Sequence, residues 1–372
     1  MRVAIVTESF LPHVNGVTNS VLRVLEHLRR HGHQALVLTP GYPPQRCEGA
    51  RVVGLPSVPM PGYPQVRLSV ATARAITKEL KAFQPDVVHL ASPFTVGGPA
   101  VRAAARLDVP VVAVYQTDVA GFATRYGLGV TGDVAWRRIR NIHTRSTLTL
   151  APSQSAADDL GRHGVHDVRL WPRGVDTSAF SPAHRDGGLH RRLGRGSVLV
   201  GYVGRLAAEK QVEDLAALRA LPGTQLVVIG DGPARGDLER ALPGAVFTGL
   251  LTGRSLSRAV ATLDVAVQPG PHETFCQAAQ EAMASGVPVV AVGAGGVREL
   301  VDNSRTGWLY PPGELDVMRT AVADLVGDPA KRRAMGAAAH EAVRSRTWPV
   351  VCESLLRYYE DAISCAADRV AR

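Results

Sequence analysis

Two glutamates stand eight positions apart in His272-Glu273-Thr274-Phe275-Cys276-Gln277-Ala278-Ala279-Gln280-Glu281. Between them the residue pattern changes from turn to helix. Val265 to Gln268 reads as a strand, Pro269 to His272 as a turn, and Gln277 to Ala284 as a helix stopped by Ser285-Gly286. Glu273 then lies in the loop and Glu281 on the helix, about 7 Å of axial rise beyond its start at ~1.5 Å per residue. A diphosphate reaches about that far, so one carboxylate suits the hydroxyls of a sugar and the other those of a ribose. The amides around Phe275 to Gln277 would face the phosphates between them, where the helix dipole favours negative charge. Two glutamates beside a helix start serve equally well as capping and solvated groups.

A second cluster, Gly204-Arg205-Leu206-Ala207-Ala208-Glu209-Lys210, directly follows an apolar strand. Cleavage of a glycosyl phosphate leaves a diphosphate with extra negative charge. Arg205 can grip two of its oxygens at once, and Lys210 adds a mobile point charge. Solvated cations beside Glu209 are the plainer account of the same residues. No DxD-like acidic pair occupies an obvious loop to hold a divalent ion in their place, so the expectation is chemistry without a metal.

These residues need elements to position them. Short apolar runs, Arg2 to Thr7, Ala35 to Thr39, Val87 to Leu90, Val111 to Tyr115 and Thr147 to Ala151, alternate with amphipathic helical stretches. One such stretch places Val17, Val21, Val24, Leu25 and Leu28 on one face and ends at Gly32. A second series, Val198 to Val203, Gln225 to Ile229, Ala245 to Thr248, Val265 to Gln268 and Val287 to Val292, follows Ala183 to Gly196, which reads as a connector or an exposed turn of helix. The alternation predicts an α/β fold of two doubly wound, Rossmann-like domains facing across a cleft, with ligands beyond the strand carboxyl ends. The expected boundaries are 1–172 and 173–349, with a last helix, 350–372, crossing back onto the first domain. Neither first strand leads into a full GxGxxG or Walker A loop, which disfavours a dinucleotide dehydrogenase or an NTPase.

The chain has 372 residues, 45% of them hydrophobic, enough for two ordinary cores, and a formal charge of +9 that favours an acidic partner. Aromatics make up 5% of residues and are not interleaved with the basic runs, so nucleic acid is not an expected partner. The cysteines, Cys47, Cys276, Cys352 and Cys365, form no CxxC pair and no zinc-ligand spacing. With MRVAIVTESF entering straight into a strand, a cytoplasmic setting is expected, peripheral to the inner face of the membrane if it meets one. Ala135 to Arg145 gathers arginines around Trp136, Ile139 and Ile142; its apolar side suits either an anionic bilayer or the core. Leu55 to Pro64 is a Pro-rich loop that could border an acceptor or simply connect elements.

The stretches ESFLPHVNGVTNSV, PDVVHLASP, AVYQTDVAGF, RGVDTSAFSP, VGRLAAEK, VIGDGP, HETFCQAAQEAMASGVPVVA and AGGVRELV cover nearly the whole chain. Together they resemble family 4 of the retaining GT-B glycosyltransferases, most closely bacterial GDP-mannose-dependent α-mannosyltransferases acting on membrane glycolipids. The resemblance implies a metal-independent hexosyltransferase with a nucleoside-diphosphate sugar as substrate, no cofactor, and a glycolipid or small-molecule acceptor. It implies that Arg205 and Lys210 bind the donor diphosphate, that Glu273 and Glu281 bind sugar and ribose, and that Gly16, after Asn15, lies against the diphosphate or the acceptor. Gly204, Gly230 and the run Thr274, Phe275, Cys276 and Gln277 complete the implied donor site; Asn15-Gly16 and the turn at Gly230 are equally ordinary turn sequences.

Two positions depart from the family pattern. Gln116 stands where many members carry a histidine, and it cannot be protonated, so Asp118, two positions on, is assigned a contact with acceptor or donor sugar; a capping or turn aspartate is the alternative. Cys276 replaces a usual glycine and is read as a small packing residue. With no carboxylate pair flanking a sugar, the expected reaction is front-side, through an oxocarbenium-like state in which the departing phosphate takes the acceptor proton. A UDP-sugar-dependent transferase with a small soluble acceptor and a GT-B nucleotide-sugar epimerase are the alternatives.

Overall fold

The computed structural model describes residues 1–60, 63–117 and 132–370. The chain divides into two compact units, Met1–Arg173 with Pro349–Arg372, and Gly174–Trp348.

Unit 1 contains β1 (Arg2–Thr7), β2 (Gln34–Pro40), β3 (Arg46–Cys47), β4 (Ala50–Leu55), β5 (Ser57–Met60), β6 (Tyr63–Ser69), β7 (Val87–Ala91), β8 (Val111–Val114), β9 (Leu148–Ala151) and β10 (Val168–Leu170). β5 and β6 form an antiparallel ribbon of their own; the others make one sheet in the order β10-β9-β8-β7-β1-β2-β4-β3, parallel except where β3 meets β4. The chain builds outward from β1 in one direction and then outward from β7 in the other, so the order reverses between these two neighbours. Val3, Ala4, Ile5 and Val6 are wholly buried, as a parallel strand is when helices cover both faces. The helix Gly16–Arg30 contributes Val17, Val21, Val24, Leu25 and Leu28 to the core, each such side chain adding about 1.5–3 kcal/mol when fully buried.

The last helix, Trp348–Val370, belongs to unit 1 in its described length after Trp348. Leu355, Tyr359 and Ala362 are buried in it. The Trp171 indole donates to the Val351 carbonyl at 2.9 Å, and the Tyr359 hydroxyl and His89 Nδ1 share a hydrogen bond of 2.6 Å. Burial, with the Arg173 charge nearby, lowers His89 to about 3, so its ring is neutral.

Unit 2 contains β11 (Val198–Val203), β12 (Thr224–Ile229), β13 (Val246–Gly249), β14 (Val265–Gln268), β15 (Val289–Val292) and β16 (Gly307–Tyr310). They form a parallel sheet in the order β13-β12-β11-β14-β15-β16, and here the reversal falls between β11 and β14. One continuous core runs through it, with Leu199, Tyr202, Val228, Val267, Met283 and Val290 buried.

Two pairs of alternatives are resolved. Residues 183–196 take the helical alternative: a 3-10 turn at Pro182–His184 leads into a helix, Gly187–Gly194, and Arg185 and His190 grip opposite oxygens of Asp264 at 2.6 and 2.7 Å. The basic helix Gly132–His143 takes the core alternative for its apolar side. Ala135, Ile139 and Ile142 are buried in unit 1, Trp136 stacks on His163 at 3.6 Å, and Arg138 donates to the Phe94 and Thr95 carbonyls. Among the described residues, no helix is long and apolar enough to cross a membrane.

Candidate functional site

In unit 2 the order reversal decides which loops meet. β11 and β14 are parallel neighbours, with Val200 opposite Val265, so the loops leaving their carboxyl ends emerge side by side. In an open α/β sheet that is where ligands bind. The first loop carries Gly204 to Lys210 and the second Pro269 to Cys276.

Lys210 Nζ donates to Glu273 Oε1 at 2.6 Å, joining the two motifs across 63 residues of chain. The side chains are 22% and 23% exposed, so the pair keeps one open side. Burial alone would lower the lysine pKa, but the adjacent Glu273 charge and its hydrogen bond outweigh it and raise the value, leaving a fully charged ammonium. Arg205 forms an ion pair with Glu209 four residues on, with 46% of its side chain exposed. Its backbone is fixed by the buried Tyr202, whose hydroxyl donates to the Arg205 carbonyl at 3.0 Å.

Glycine is required where these loops cross. A Cβ on Gly230 would lie 1.9 Å from the Gly204 carbonyl oxygen, and one on Gly204 would lie 2.6 Å from the Tyr202 hydroxyl. The Glu273 loop is braced in the same manner from the turn Gly295–Glu299: Gly296 N–H donates to the Glu273 carbonyl at 2.6 Å. A Cβ on Gly295 would meet that carbonyl at 2.6 Å, and one on Gly296 the Thr274 carbonyl at 2.4 Å.

Past Glu273 the chain passes through Thr274 and the buried Phe275 and turns into the helix Gln277–Ala284, which places Glu281 on its fifth residue, partly exposed. The turn is made at Cys276, whose φ of +71° lies in the left-handed region that favours glycine. Its thiol is buried, and burial, with the Glu273 charge beside it, raises its pKa, so it is a protonated packing group and no nucleophile. Gln277 Nε2 donates to the Gly174 carbonyl at 3.1 Å, which ties the helix start to the beginning of unit 2. The arrangement offers two cations, a carboxylate at each end and a helix N-terminus, and this set can hold a diphosphate flanked by two hydroxyl-bearing rings.

The remaining predicted residues lie in unit 1. Asn15 caps the helix Gly16–Arg30, its side-chain oxygen accepting from Val17 and Thr18 N–H at 3.0 Å each while its Nδ2 donates to Ser9 Oγ at 2.8 Å. Gly16 has no atom within 4 Å of where a Cβ would stand. Gln116 is buried just beyond β8, and Asp118 lies outside the described residues.

Glu8, just beyond β1, escaped the sequence reading. Its carboxylate crosses the order reversal of unit 1 and accepts from Val96 N–H at 2.8 Å, Thr95 Oγ at 2.6 Å and Phe94 N–H at 2.5 Å, at the start of the helix Gly97–Ala105. Burial nonetheless raises its pKa. A lone acidic residue after a strand gives no such signal by itself. The glycines of AGGVRELV were visible, yet their bracing of Glu273 depends on a contact that no local pattern records.

Residues 14–179 match the family model described as "Glycosyltransferase Family 4", and residues 197–328 match "Glycosyl transferases group 1". The chain is 51% identical to a "GDP-mannose-dependent alpha-mannosyltransferase" of Mycolicibacterium smegmatis, over 100% of both chains. It is 49% identical to a protein of the same name from Mycobacterium tuberculosis, over 97% of this chain and 96% of that one. Among solved structures, Anabaena HepE in complex with UDP and glucose superposes with a TM-score of 0.79 at 19% identity, covering 97% of this chain and 100% of the other. Sucrose-phosphate synthase from Thermosynechococcus elongatus gives a TM-score of 0.80 at 19% identity over 98% and 99%. With its two Rossmann-like units and full-length kinship to these transferases, the chain belongs to glycosyltransferase family 4 and is a GT-B hexosyltransferase.

Proposed function

We propose that this protein transfers α-mannose from GDP-mannose to a hydroxyl of a glycolipid, with retention at the anomeric carbon and without a catalytic metal. The donor assignment is supported by the full-length relatives whose names specify GDP-mannose and α-mannosyl transfer. The observation that carries the chemistry is the Lys210–Glu273 bridge at 2.6 Å with one open side. A donor entering there takes the ammonium by its phosphate and the carboxylate by its sugar hydroxyls, while Arg205 grips the diphosphate and Glu281 receives the ribose. Gly204, Gly230 and the backbone of Thr274 to Gln277 line that diphosphate, and Gly16 is assigned a place against the diphosphate or the acceptor.

In the reaction the bond from C1 to the phosphate oxygen breaks and a bond from C1 to the acceptor oxygen forms on the same face. The acceptor proton passes to the departing phosphate, giving GDP and an α-mannoside. The leaving charge is met by Arg205, Lys210 and the amide end of the helix Gln277–Ala284, which together perform the neutralising task a divalent ion performs elsewhere. Gln116 holds no proton to transfer; it and Asp118 are assigned to orienting sugar or acceptor.

The test is a panel of GDP-mannose, UDP-glucose, UDP-galactose and UDP-N-acetylglucosamine with mannosyl-accepting lipid extracts, run with and without EDTA, with the anomeric configuration read by NMR. GDP-mannose should be preferred at least tenfold and EDTA should leave the rate unchanged. Preference for a UDP-sugar would overturn the donor, strong EDTA inhibition the metal independence, and a β-linked product the retention.

A further inference from the structure

Outside the donor-binding residues, unit 1 gathers His27, His31 and Glu353 so that one ligand atom of each lies within 4.8 Å of the other two. The histidines are four residues apart on the helix Gly16–Arg30 and its C-cap, hence on one face, and Glu353 reaches them from the helix Trp348–Val370. Their rings lie 4.1 Å apart, tilted by 35°. His31 Nδ1 lies 2.9 Å from the His27 carbonyl. Donation of Nδ1–H to that oxygen leaves Nε2 as the bare nitrogen, which is the outer-shell arrangement by which proteins orient a ligating imidazole.

His27 is buried, and its Nε2 makes no hydrogen bond although it is shut off from solvent. Glu353 Oε2 faces it from 3.5 Å away. That is long for a hydrogen bond. It is close to the separation of two ligands on one tetrahedral ion, about 3.3 Å for bonds of about 2.0–2.1 Å. His33, the other histidine nearby, is held 3.0 Å from the Met1 amine.

We propose that His27, His31 and Glu353 form a divalent transition-metal site, of zinc type, that clamps the C-terminal helix onto the first helix of unit 1. Two imidazoles and one carboxylate from two helices, with the exposed side left to water, match the ligand set such an ion takes. The bound ion would give the buried His27 nitrogen its missing partner. The site uses none of the residues assigned to the donor, Arg205, Lys210, Glu273 and Glu281, so the proposal does not depend on the metal-free reaction above.

The test uses the untagged full-length protein, stripped with EDTA and titrated with Zn²⁺ by calorimetry and with Co²⁺ by visible absorption. One equivalent should bind, with tetrahedral Co²⁺ bands and no thiolate charge-transfer band. His31→Ala and Glu353→Gln, both at exposed positions, should each weaken binding at least tenfold, of the order seen when a metal site loses part of its support. The double substitution Cys47→Ser and Cys365→Ser should leave it unchanged. Absence of stoichiometric binding, or binding untouched by His31→Ala and Glu353→Gln, overturns the site; binding lost with the cysteines does so equally.

Discussion

Gly16 is a glycine that nothing inside its own unit requires. It opens the helix Gly16–Arg30, it is not among the residues with positive φ, and a Cβ there meets no atom within 4 Å. Gly16→Ala should therefore fold as well as the parent. Replacing a helical glycine gains up to about 0.5–1 kcal/mol, less at the first turn. If a donor or acceptor phosphate lies against the bare Cα, the added methyl overpacks that contact at about 1–3 kcal/mol. At 1.4 kcal/mol per factor of ten, kcat/KM then falls roughly 5- to 150-fold. The assay pairs a thermal melt with transfer kinetics in which donor and acceptor are varied separately, so that the substrate whose KM rises identifies the neighbour. A folded variant with unchanged kinetics for both substrates would refute the ligand contact. A variant that melts well below the parent would refute the claim that the position is sterically free.

Arg205→Ala and Lys210→Ala should each lower turnover by roughly 100- to 1000-fold, and near-parental transfer by both would end the assignment of the leaving-group charge to them. Lys210→Ala also strands Glu273 without its partner, so its urea midpoint should fall while that of Arg205→Ala, whose side chain is 46% exposed, should barely move. Cys276→Ala should keep turnover within about twofold, since the thiol performs no chemistry, and Cys276→Gly should be more stable than the alanine variant by about 1–2 kcal/mol because only glycine adopts that φ without cost; a less stable glycine variant contradicts the strain. Acid should weaken unit 1. Burial lowers His89 to about 3 and His143 to about 4, so from pH 6.5 down to about 4 the unfolded chain takes up protons that the folded rings refuse. Stability then falls by up to about 1.4 kcal/mol per pH unit for each histidine. Melts between pH 7.5 and 5 check this, and His143→Asn should reduce the slope.

The two halves of the site were legible to different degrees for physical reasons. Valine-rich runs such as Val198 to Val203 and Val265 to Gln268 announce buried parallel strands because both faces must be apolar, and the loops after them held the charged residues. Their adjacency was not legible: it depends on the chain reversing direction after β13, and no local pattern encodes strand order. The Lys210–Glu273 bond follows only from that order. Cys276 was noticed as standing in place of a glycine, whereas the reason, a left-handed turn into the helix, is a backbone property. Ala135 to Arg145 stayed open between bilayer and core because helical periodicity marks an apolar side without saying what covers it; Ile139 and Ile142 face protein. Glu8 gave no sign because its partners, two backbone amides and the Thr95 hydroxyl, lie in a loop 86 to 88 residues away.

The fastening of the last helix to Trp171 and His89 also sets an order of assembly. All of Gly174–Trp348 is made before Val351 and Tyr359 exist, and at about 5–20 residues per second that wait is roughly 10 to 40 s. During it the earliest-made half of the chain has a finished sheet with an unroofed flank, while the later-made half has everything it needs to fold. A stop codon near the end of the message would thus injure the beginning of the protein.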